Sequence, residues 1–104
     1  MRGFASFCGL IILSSFSGDA FGASVQRGQN LARTHCARCH SIDKITNSPL
    51  AIAPPFRILH KKYPVETLEE PLAEGIVTGH PTMPEFTFAP DQIGDFIAFL
   101  KSLE

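Results

Sequence analysis

A chain of 104 residues has room for one domain, because two would each bury too little surface to be stable. Nine basic against ten acidic side chains leave a net charge of −1 and no basic footprint for a phosphate backbone, which excludes nucleic acid as a partner. An apolar content of 44% excludes disorder, since burial on that scale offsets the entropy of ordering.

The chain opens with Arg2, an apolar stretch from Phe4 to Phe16, then Ser17, Gly18, Asp19 and the small-residue frame Ala20-Phe21-Gly22 or Gly22-Ala23. Positive, apolar, then small is the layout of a secretory signal peptide, predicted over residues 1–22 with cleavage near 20 to 23. About thirteen apolar residues fall short of the roughly 20 that a spanning helix needs, so a retained membrane anchor is the weaker reading. Cys8 leaves with the signal, and residues 23–104 form the exported domain, expected in the periplasm without stable membrane insertion. A core in a chain this short rarely supplies more than about 3–5 kcal/mol, so the domain needs a staple.

From Val25 to about Thr34, Gly28, Leu31 and Ala32 mark one face of a predicted helix. It leads into Cys36-Ala37-Arg38-Cys39-His40, which holds both cysteines left after signal removal. A disulfide across two intervening residues closes a tiny loop and stabilises little. A redox dithiol wants a strand before it and a helix N-terminus beneath it, whereas a helix precedes this pair. Structural zinc needs two further ligands from His35, His60 and His80, with no second pair at finger-like spacing. Cys-x-x-Cys-His is itself the haem attachment signature: two thiols add to the porphyrin vinyl groups and the next histidine falls beneath the ring as proximal iron ligand. One haem c held by Cys36 and Cys39, with His40 on iron, also supplies the missing core.

Phe56 to Tyr63 predicts two helical turns before Pro64, and Glu66 to Glu74 a helix with a break or a fresh start at Pro71 and a stop at Gly75. Met83 is the only methionine other than Met1, and it lies in the segment Gly79-His80-Pro81-Thr82-Met83-Pro84, where two prolines forbid the regular helix that a core-filling Met would ride. That makes Met83 the expected sixth ligand. His80 is the competitor, giving a bis-histidine iron of lower potential; His60 and His35 read as surface. From Pro90, residues Ile93, Phe96, Ile97, Leu100 and Leu103 follow helical spacing with Phe99 beside them, although Ala89 is a poor N-cap.

In Gly28 with Cys36 to His40, Ala53-Pro54-Pro55-Phe56, Met83-Pro84 and Asp95-Phe96-Ile97-Ala98-Phe99-Leu100-Lys101, the sequence resembles the small monohaem class I cytochromes c of bacteria. The resemblance implies an all-α class I cytochrome c fold, in which crossing N- and C-terminal helices and short helices wrap one covalently bound haem. It implies that Gly28 lets Phe96 or Phe99 approach its backbone. It also implies that a carbonyl of Pro54 or Pro55 accepts the second N–H of His40, though Ala53 stands where the family commonly has Gly. His40 and Met83 on iron leave no open site, so the expected function is electron transfer between transient protein donors and acceptors by a monomer, not catalysis. Three other readings stay open: a dedicated cytochrome subunit of a periplasmic dehydrogenase or oxidase, a ligand-binding or peroxidase-like haem protein whose Met83 dissociates, and a zinc or dithiol module. Seven basic residues against one acid over 27 to 62, and one base against eight acids over 63 to 104, either steer a partner or interleave on folding.

Overall fold

The computed structural model describes residues 22–76 and 83–104. The expected signal stretch through Phe21, with Cys8, and the segment carrying Gly79, His80, Pro81 and Thr82 lie outside the described residues. Among the described residues there are three α-helices: α1 (Val25–His35), α2 (Glu69–Glu74) and α3 (Pro90–Ser102). Two short 3-10 helices, Phe56–Lys61 and Val65–Leu68, lie between α1 and α2, and the described residues contain no strand.

Helix α1 begins at Ser24, whose Oγ accepts the Arg27 N–H at 3.1 Å and satisfies one of the orphan donors of the first turn. Its apolar positions are sparse because it packs through small residues: Gly28 and Ala32 are its buried positions and meet α3. A β-carbon built on Gly28 would lie 2.7 Å from both the Asp95 carbonyl carbon and Phe99 Cβ. The close approach is therefore backbone to backbone, with Asp95 as the main neighbour and Phe99 contributing its β-carbon; Phe96 does not supply it.

Helix α3 carries most of the core. Ile93, Phe96, Ile97, Phe99 and Leu100 are buried along it, and Leu103 closes the same face at its C-cap. Pro90 takes the first helical position, and Ala89, which has no side-chain acceptor, is served from the other direction: Gln92 Oε1 accepts the Ala89 N–H at 2.9 Å. Asp95, also buried, ties the two terminal helices together. Its carboxylate accepts the Ser24 N–H at 2.7 Å and the Arg27 Nε–H at 2.9 Å, and hydrogen bonding from Arg27 holds its pKa below the usual carboxylate value.

The middle of the chain departs in detail from expectation. Phe56–Lys61 is a 3-10 helix, in which residues three apart eclipse; this places Phe56 and Leu59 together in the core. Of the two outcomes expected at Pro71, a break or a fresh start, the structure has the fresh start. The break falls between Leu68 and Glu69, and Pro71 sits in the first turn of α2, where its missing N–H would have had no partner. Gly75 ends α2 at φ +110°, a backbone region that favours glycine, with its N–H on the Pro71 carbonyl at 2.9 Å.

Candidate functional site

The end of α1 positions the attachment motif. The N–H groups of Cys36 and Ala37 both reach the Ala32 carbonyl, at 2.8 and 2.9 Å, and those of Cys39 and His40 reach the Cys36 carbonyl, at 3.1 and 2.9 Å. This run of tight turns brings Cys36, Cys39 and His40 together. Cys36 is buried, Cys39 and His40 are half-buried, and the two thiols are not bridged. Burial pushes the Cys36 thiol up to about 12. An activated dithiol nucleophile shows the opposite shift, so Cys36 lacks that activation. Among the described residues no group of three or more His, Cys, Asp or Glu side chains converges, so neither His35 nor His60 joins the cysteine pair in a zinc site; His80 lies outside the described residues.

His40 is oriented by the chain that follows it. Its Nδ1 lies 2.8 Å from the Pro54 carbonyl oxygen. A carbonyl only accepts, so Nδ1 carries the hydrogen and Nε2 keeps its lone pair, the tautomer a metal-ligating imidazole requires. Pro54, and not Pro55, is the supporting residue. Phe56 backs the imidazole at a centroid distance of 4.8 Å, and the Phe56 N–H is held by the Ser41 carbonyl at 3.0 Å.

The loop between His40 and Pro54 is locked by polar side chains that the linear reading passed over. Asp43 Oδ1 accepts the N–H groups of Ile45 and Thr46 at 2.9 and 2.7 Å, and Oδ2 accepts from Thr46 Oγ1 at 2.7 Å. Those bonds hold the Asp43 carboxyl at about 2. Arg57 donates to the Thr46 carbonyl at 2.7 Å, and buried Ser41 takes the Ser48 hydroxyl on its N–H at 3.0 Å. The signal available in advance was Asp43 with Thr46 three residues on, a pattern in which a side chain substitutes for a backbone turn.

Met83 is half-buried at a bend, and the non-helical segment after it is tied down twice: the Ile76 N–H reaches the Phe86 carbonyl at 3.3 Å and the Phe88 N–H the Leu72 carbonyl at 2.9 Å. Of the other histidines, His60 lies in the first 3-10 helix. His35 is exposed but is not a bare surface residue: its ring stacks on Phe86 at 6.1 Å and meets Phe88 edge-on at 5.5 Å.

Two unbridged thiols one turn apart, an imidazole with a free Nε2, and the adjoining aromatic cluster of Phe56, Phe88 and Phe96 suit a flat apolar macrocycle attached through thioethers. Residues 25–104 match the family model described as Cytochrome c, and the chain belongs to the cytochrome c family. It is an electron-transfer protein carrying haem c, bound covalently through Cys36 and Cys39. Among curated proteins it is similar to a cytochrome c-552 of Bradyrhizobium diazoefficiens, 29% identical over 96 residues that cover 92% of this chain and 90% of that one. No helix among the described residues is long and apolar enough to cross a membrane.

Proposed function

We propose that the chain is an exported electron carrier of the periplasm, a monomer whose haem iron is held by His40 Nε2 and Met83 Sδ. The observation that carries the reading is the Nδ1–H bond from His40 to Pro54, which leaves Nε2 as the free donor on the same turn as both cysteines. The bound haem supplies one-electron exchange between ferric and ferrous iron. The chain's own part would be to hold the iron through His40 and Met83 so that no site is left for substrate or water, and a thioether ligand would favour the ferrous state. The signal segment 1–22 is removed on export, leaving residues 23–104.

The steering reading takes the basic stretch from 27 to 62 as the side that meets a partner. Among the described residues the ion pairs are Arg27–Asp95, which joins the basic and acidic halves, and Lys101–Glu66, which lies within the acidic half. Arg33, Arg38, Lys44, Lys61 and Lys62 are exposed and make no ion pair among the described residues, and in this reading they orient an acidic partner during a brief encounter. A dedicated subunit role in a periplasmic dehydrogenase or oxidase is the second reading, favoured by the outward presentation of Ile45 and Ile52 on the locked loop, 85% and 61% exposed.

The test is Met83→Leu. The variant keeps its covalent haem, changes its visible spectrum, binds carbon monoxide when reduced and has a lower potential. An unchanged spectrum and potential removes Met83 from the iron.

A further inference from the structure

We propose that His35 is a positioning residue: its imidazole clasps the segment that follows Met83 to the end of α1, next to the attachment motif, and so sets how firmly Met83 stays on the iron. The inference rests on the ligation by Met83 proposed above.

His35 is the last residue of α1 and the immediate neighbour of Cys36. Met83 lies three residues before Phe86 on the far segment. Stacking of His35 on Phe86, with planes 17° apart, and its edge contact with Phe88, at 66°, form a direct side-chain link from that segment to the helix end bearing the cysteines. Phe86 and Phe88 are themselves packed together at 5.2 Å, so the three rings form one unit. The backbone ties of the same segment run elsewhere, to Ile76 and Leu72 at the α2 end. Those bonds fix the segment against α2 and leave its position relative to Cys36 and His40 to the rings. Phe88 continues inward to Phe96 at 5.4 Å, Phe96 to Phe56 at 5.9 Å, and Phe56 to His40, so the clasp shares a packed aromatic row with the proximal imidazole. Loosening the outer end of that row frees the segment with Met83 while the short turn of residues 36 to 40 stays intact.

A ligand that replaces Met83 reads this directly, because its apparent affinity scales with the fraction of molecules in which the methionine is off. The probe is imidazole, titrated against the ferric holoprotein by visible absorption. His35→Ala is expected to keep covalent haem and raise apparent imidazole affinity roughly five- to tenfold, the weight of an aromatic contact or two. His35→Phe is expected to restore the wild-type value, since the clasp needs a ring and not a charge. Phe86→Ala should mimic His35→Ala, and the double variant should bind little tighter than either single one. In a Met83→Ala background, where the position is already open, His35→Ala should have no effect. Unchanged affinity in His35→Ala, failure of His35→Phe to rescue, or a His35 effect that persists with Met83→Ala overturns the clasp. If Met83→Ala alone leaves imidazole affinity unaltered, the ligand reading has failed, and the clasp falls with it for that separate reason.

Discussion

Replacing Gly28 by Ala adds one carbon at the crossing of α1 and α3, and its cost can be worked from the contacts. The new carbon would lie 2.7 Å from Phe99 Cβ and from the Asp95 carbonyl carbon, against an ordinary carbon–carbon separation of about 3.5–4.0 Å. The obstruction is mostly backbone, which cannot swing aside, so the helices must part by roughly 1 Å and forfeit a quarter to a half of each contact across the crossing. Overpacking of this kind costs about 1–3 kcal/mol, and backbone obstruction places it at the upper end. The better helix propensity of Ala returns up to about 1 kcal/mol, leaving a net loss of about 2 kcal/mol. For a domain of this size that lowers Tm by roughly 8–16 °C. Gly94→Ala is the internal control. Its added carbon meets nothing nearer than Ala23 Cβ at 4.0 Å, so propensity acts alone and Tm should rise by a few degrees, about 0.5–1 kcal/mol of stabilisation. Thermal unfolding of the two holoproteins, followed by far-ultraviolet circular dichroism, decides the matter. Shifts of the same sign, or a Gly28→Ala protein within about 2 °C of wild type, would refute the packing argument.

Asp95 should make stability depend on pH. Its folded pKa is lowered, chiefly by hydrogen bonding from Arg27, so its contribution is present above the ordinary carboxylate value and is lost as pH falls through the folded one. Asp95→Asn is expected to cost about 1–3 kcal/mol at pH 7 and to flatten the acid limb below pH ~4 in urea titrations; an unchanged limb counts against this account. Asp43, lowered from 3.8 to about 2 by the Thr46 and Ile45 N–H groups, acts in the same direction. Removing it should loosen the loop between His40 and Pro54, seen as faster amide exchange at Ile45 and Thr46. Cys36→Ala should remove stable haem attachment and most helicity together, by intact mass and circular dichroism. A compact helical protein without haem would contradict the view that the cofactor completes the core.

The attachment motif, the terminal helix with its buried face and the cap at Gly75 were legible in linear order, because each depends on residues a few positions apart and on local stereochemistry. The 3-10 form of Phe56–Lys61 was not, nor was the start of α2 at Glu69, ahead of Pro71. Propensity marks helical segments, but the number of residues per turn follows from which side chains must meet the core, Phe56 and Leu59 in the first case.

Composition, spacing and ligand chemistry were enough to assign the cofactor class and the helical architecture, since thioether attachment is written in five consecutive residues. Tertiary folding decided what the string left open or did not show. It selected Pro54 over Pro55 for His40, the Asp95 backbone over a phenyl ring as the main neighbour of Gly28, and a stacked role for His35 that looked like surface. These contacts, with the Ser24–Asp95 bond between the terminal helices, join positions from 14 residues apart, at His40 and Pro54, to 71 apart, at Ser24 and Asp95. Pairing over such separations is decided by how whole helices pack, which no local pattern records.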